Sequence, residues 1–122
     1  VVTWGCAQCG GDSTDVKDQL MNGVVHISST SMAFAAIKDS GMVVTWGCER
    51  GGGDSSKVRE HLTCGVKEVC GTELETFAAI TATGAMVQWG CTYPVRSYVQ
   101  ENNSAICKLY SNHEAFSALR ED

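Results

Sequence analysis

A 122-residue chain of net charge −5, with nine scattered basic residues, has no positive stripe to neutralise phosphates, which excludes nucleic-acid binding. Apolar residues at 43% and charged residues at 19% are the proportions of a globular chain, and the length is one domain's worth. The longest apolar run, Met32 to Ile37, is far short of a bilayer-spanning helix. A soluble chain is expected, with peripheral association to a membrane complex still compatible.

Taken in order, the chain opens on Val1-Val2-Thr3-Trp4-Gly5, with no signal peptide and no initiator Met. A mature product, an excised piece or part of a longer chain is therefore expected. A glycine-bearing loop, Cys6 to Gly11, leads to Asp12-Ser13-Thr14, residue types that cap a helix by accepting from its free N–H groups. Val16 and Leu20, four apart, share one face of that short helix, and Asn22-Gly23 ends it. Val24 to Ser29 alternates and is β-branched, which predicts a strand. Met32 to Ile37 reads as a second, more buried strand. After the turn Lys38-Asp39-Ser40-Gly41, Met42 to Trp46 reads as a third.

The same steps then recur. Gly51 to Ser56 matches the loop and cap, Val58 and Leu62 the helix face, and Gly65 its stop. Val66 to Cys70, Thr76 to Ile80 and Met86 to Trp89 match the three strands. In the third copy Tyr93-Pro94 begins the helix, Pro being well placed in a first turn, and Val95 and Val99 keep the four-residue spacing. Ala105 to Tyr110 and Ala115 to Leu119 are its strands. Trp4, Trp46 and Trp89 lie 42 and 43 residues apart, and Phe34, Phe77 and Phe116 also fall at one equivalent position. A fixed period of this size is a repeat signature, and matched Trp and Phe residues read as core layers.

The expected fold is mainly β with short helices: one repeat domain, residues 1–122, of three ~42-residue strand–helix–strand–strand units at about 1–41, 42–84 and 85–122. The arrangement is propeller-like. The last unit lacks only the Trp strand that the N-terminus carries, so a closed ring is expected, with residues 1–5 pairing beside residues 114–119. An arc of a longer array is the alternative.

Gly41-Met42-Val43-Val44-Thr45-Trp46-Gly47 resembles the Gly-x-Val-x-x-Trp-Gly signature of the chromosome-condensation-regulator repeat, and Gly84 to Gly90 resembles it with Met86 in the Val position. Ala33 to Ile37 and Phe77 to Ile80 sit where that family has its Ala-Leu strand. The resemblance implies a β-propeller used for protein–protein contact, and in some members nucleotide exchange on small GTPases. The shorter period, the Gly-Gly-Asp-Ser loop with its helix and the three copies depart from that pattern, so exchange activity is not carried over. The variant also resembles repeat tracts of photosynthetic protists, which implies a plastid or photosynthetic-complex setting.

Cys6, Cys48 and Cys91 each follow a Trp by two residues; in a closed ring they would converge on the axis, where thiolates suit a soft metal. Against this stands the common fate of Cys as a small core residue. Cys6-Ala7-Gln8-Cys9 has redox or zinc spacing but no second such pair, and Gly51 holds the Cys9 position in the next unit. An odd total of seven cysteines leaves the compartment open. The Gly-Gly-Asp-Ser loops lack a repeated Lys beside them for phosphate, and His26, His61 and His113 share no repeat position for activating a Ser. No catalytic set and no cofactor are expected.

The reading that remains is a non-enzymatic interaction or scaffold module, a small accessory subunit of a larger assembly. Tyr93, Pro94 and Tyr98, in the unit that departs from the pattern, are its expected partner contacts. The alternatives are a small-ligand or soft-metal-binding domain, and a β-trefoil-like lectin, against which the helix between strands argues.

Overall fold

The computed structural model describes residues 1–91, 98–100 and 106–121. The first sheet has the order β1 (Val24–Ser29), β2 (Ala33–Lys38), β3 (Val43–Gly47), all antiparallel. The second is β4 (Val66–Gly71), β5 (Thr76–Thr81), β6 (Met86–Gly90), β7 (Tyr98–Gln100). The third is β8 (Ile106–Ser111) with β9 (Phe116–Arg120). Short helices α1 (Lys17–Leu20) and α2 (Arg59–Leu62) precede the first two sheets, each entered through a 3-10 turn. The chain is thus mainly β with short helices, and every strand foreseen between residues 24 and 120 lies within a residue or so of its expected place.

The three sheets stack. Ala33, Ala35 and Ile37 of β2 share a core with Val69 of β4, Phe77 and Ala79 of β5 and Trp89 of β6, with Val58 and Leu62 wedged between the layers. The opposite face of β5, Ala78 and Ile80, packs on Leu109, Ile106 and Phe116. All six residues of β5 are buried, which is why it reads as a continuous apolar run rather than an alternating one. Alanines at these positions let neighbouring sheets approach closely. Side chains also cross between layers: Ser28 Oγ donates to the Val69 carbonyl at 2.6 Å, Ser111 Oγ to the Gly71 carbonyl at 2.9 Å, and Leu109 N–H to Glu68 Oε2 at 2.9 Å.

Equivalent residues do equivalent work in the first two sheets. Phe34 stacks on Trp46 with centroids 5.4 Å apart, and Phe77 on Trp89 at 5.3 Å. The Trp46 indole donates to the Gly10 carbonyl at 3.0 Å and that of Trp89 to the Gly52 carbonyl at 3.1 Å, so each loop lies over the aromatic pair that follows it. Gly52, at φ +97°, sits so close to the Phe77 ring that a Cβ there would come within 2.5 Å of it.

Two expectations are corrected. Residues 1–5 do not form a strand or close a ring beside β9: Val2 and Trp4 are 82% and 83% exposed. The segment is tied instead to its own end of the stack, by Thr3 Oγ1 and Ser13 Oγ at 2.8 Å and by the Val1 ammonium donating to the Leu20 carbonyl at 3.3 Å. The helix expected around Val95 and Val99 is also revised. Val99 belongs to β7, opposite Val87, because the outer edge of β6 offers main-chain partners that Tyr98 and Val99, good strand formers, take up. Tyr93, Pro94 and Val95 lie outside the described residues.

Candidate functional site

The Asp-Ser loops are held by local hydrogen bonds. Asp12 Oδ1 accepts from the Thr14 N–H at 2.9 Å and Asp54 Oδ1 from the Ser56 N–H at 2.9 Å, each closing a two-residue turn at the helix entry. Hydrogen bonds from Thr14 and from Ser56 hold these carboxyls below the usual carboxylate range. Ser13 and Ser55 make no cap; they meet Thr3 and Thr45 at 2.8 and 3.0 Å, tying each loop to the strand or segment before it. The cleft beside both loops, about 430 Å³, is lined by Asp12, Asp15, Glu49 and Asp54. That is the wrong sign for a phosphate.

Two histidines make side-chain contacts of their own. His26 Nε2 lies 3.3 Å from Ser28 Oγ, but the Ser28 hydroxyl proton is committed to the Val69 carbonyl. His113 Nδ1 meets Glu73 Oε2 at 2.6 Å in a pair whose side chains are 58% and 77% exposed, a surface contact of small energetic weight.

Among the described residues no three His, Cys, Asp or Glu side chains gather closely enough to hold a metal ion, so Cys6, Cys48 and Cys91 do not converge. Cys6 and Cys48 each sit at the start of a loop, before Ala7–Cys9 and Glu49–Gly53. Cys6 and Cys9 do interact: a hydrogen bond from the Cys9 thiol holds Cys6 below the ordinary thiol range, and the same bond pushes Cys9 up. Cys70, half-buried between sheets, is pushed up to about 11 by burial, reinforced by the Glu68 charge and opposed by a bond with Ser111. The thiolate is the nucleophile, so alkylation at pH 8 is expected to take exposed Cys6 early and Cys70 last, as peptide mapping of a timed iodoacetamide reaction would show. Cys70 reacting with the first group would mean that the β4–β8 contact opens readily.

What stands out is an apolar end. Val69 and Leu109, at the same register position in β4 and β8, are 1% and 3% exposed, whereas Ile27, their counterpart in β1, is 41% exposed. Beside Ile27 a groove of about 300 Å³ is lined by Val1, Val2, Trp4, Gly10, Phe34 and Trp46. At the other end of the stack Leu119, the counterpart of buried Ile37 and Ile80, is 52% exposed. Of the partner contacts expected from sequence, Tyr98 is 47% exposed on strand β7, and Tyr93 and Pro94 lie outside the described residues. Sequence periodicity missed Ile27 because it marks a core-facing position without showing whether a neighbour covers it. Among the described residues no helix is long and apolar enough to cross a membrane. No protein-family model matches the chain, and no curated protein matches it.

Proposed function

We propose that this chain is a non-enzymatic interaction module, an arc of stacked repeats in a variant resembling the chromosome-condensation-regulator repeat, and an accessory subunit of a larger assembly. The observation that carries this reading is the exposure of Ile27 at a register position that is buried wherever a neighbouring sheet is present. An aliphatic side chain, an adjacent apolar groove and an exposed Trp together make the kind of patch that marks a protein contact. The partner presents a sheet face of small side chains with one larger aliphatic among them, as β2 presents Ala33, Ala35 and Ile37 inside the molecule. Tyr98, exposed on strand β7 of the second sheet, offers a separate contact, and a plastid setting agrees with the sequence resemblance.

The test is gentle size fractionation of the native source carrying either the wild-type chain or an Ile27→Asp variant. Wild type is expected to co-migrate with a large complex and the variant to run free, its fold unaltered because residue 27 is exposed. A wild-type chain that runs free, or a variant that stays in the complex, would remove the reading.

A further inference from the structure

Residues 1–5, Val-Val-Thr-Trp-Gly, are identical to Val43–Gly47, which is β3. The likeness is more than sequence. Thr3 Oγ1 lies 2.8 Å from Ser13 Oγ, as Thr45 Oγ1 lies 3.0 Å from Ser55 Oγ. Gly5 and Gly47 turn the chain at φ +103° and +109°, and in both places the last glycine of the following loop, Gly11 or Gly53, packs on their carbonyl. The N-terminal segment is therefore held by its own loop as β3 is held by its loop. The difference lies in pairing: β3 pairs with β2, whereas residues 1–5 pair with no strand among the described residues.

β9 offers what the segment lacks. Phe116, Ser117, Ala118 and Leu119 occupy the register of Phe34, Ala35, Ala36 and Ile37 in β2, and β9 pairs with β8 alone among the described residues. Carrying over the β2–β3 register puts Trp4 opposite Phe116, Thr3 opposite Ser117, Val2 opposite Ala118 and Val1 opposite Leu119. Stacking of the two ends follows from the same template. The face bearing Ser117 and Leu119 would cover Ile27 and Phe34, as the face bearing Ala35 and Ile37 covers Val69 and Phe77.

We propose that the partner at this apolar end is a second copy of the chain: residues 1–5 of one copy complete the β8–β9 sheet of the next, seating Trp4 on Phe116 and burying Ile27 beneath Leu119. This rests on the interaction-module reading above and names its partner. Main-chain hydrogen bonds from an added strand supply the affinity, and the tie between Thr3 and Ser13 lowers its ordering cost. The contact joins different surfaces of the two copies, so it propagates head to tail until it closes on itself.

The purified 122-residue chain is examined by sedimentation equilibrium over a concentration series, with tryptophan emission recorded in parallel. Association above the monomer is expected, accompanied by a blue shift as Trp4 leaves water. Trp4→Ala is expected to weaken association at least about tenfold. Two further variants settle the geometry. The Val2→Pro/Trp4→Ala chain keeps only the receiving edge, and Leu119→Asp keeps only the donating segment; all three positions are exposed, so both variants fold. Each alone is expected to stay monomeric, and a mixture is expected to give a one-to-one dimer that grows no further. A wild-type chain that remains monomeric, with or without the blue shift, overturns the proposal, as does either variant assembling alone or a mixture that fails to pair. If Ile27→Asp still releases the chain from its native complex, that failure leaves the interaction-module reading standing with a different partner.

Discussion

Trp89→Ala is expected to lower the unfolding free energy by about 4 kcal/mol, and Trp4→Ala, at concentrations that keep the chain monomeric, by less than about 0.5 kcal/mol. The two residues occupy the same place in the sequence pattern, yet Trp89 is 1% exposed and Trp4 83%. Removing Trp89 leaves a cavity between Phe77 and α2, forfeits a ring stack at 5.3 Å and orphans the Gly52 carbonyl that accepts the indole N–H. Trp46 makes the same stack and the same bond to Gly10, but one side of its pocket opens into the N-terminal groove. About 3 kcal/mol is expected there. Midpoints of urea unfolding for the three variants check the order. Equal costs would mean that Trp4 is packed in solution.

Gly52→Ala is expected to be nearly as damaging, at about 3 kcal/mol, against about 1 kcal/mol for Gly65→Ala. Both glycines have positive φ, +97° and +71°, so both substitutions carry the left-handed cost. Gly65 has space, the nearest neighbour of an added Cβ being the Ala82 methyl at 3.9 Å. Gly52 has none: the methyl would enter the ring of Phe77, which is 0% exposed and already fixed against Trp89. The ring cannot retreat without breaking the stack, and the loop cannot rise without losing the bond from the Trp89 indole. The same unfolding experiment separates the two terms, and similar costs at both sites would show the loop to be looser than this packing.

The strands were legible because their signals are local. Val24–Ser29 alternates β-branched and polar residues and forms β1 at those bounds, and the turn Lys38 to Gly41 brings β2 and β3 into the expected pairing. The aromatic positions were legible from the period, although the period assigned Trp4 to a core it does not enter. Burial is a property of neighbours, and Val1–Gly5 carries the same letters as β3 without a strand beside it among the described residues. β7 was missed for a related reason: a Val95–Val99 spacing suits a helix, but Val99 answers to the open edge of β6, a partner distant from it in local pattern. The cysteines misled through symmetry. Equivalent positions meet on an axis only if the units close around one, and in a stack they lie apart, Cys6 and Cys48 each at the start of a different loop. The apolar end that carries the functional reading left no mark in the sequence, since Ile27 looks like any other core-facing strand residue.

Each sheet begins with an irregular strand. The pairing of β1, β4 and β8 slips by one residue, between Val24 and His26, Val66 and Glu68, and Ile106 and Lys108, so that Val25, Lys67 and Cys107 bulge out exposed. All three strands lie at the edge of their sheets. A bulge interrupts the row of evenly spaced donors and acceptors that an incoming strand must match, and it twists the edge away from a flat template. One margin of every sheet is therefore spoiled for pairing while the other stays regular, as β6 shows by accepting β7. The fold has a built-in grain: strands are added on one side only, and a stack of such units resists the indiscriminate edge-to-edge growth that turns β-rich chains into aggregates.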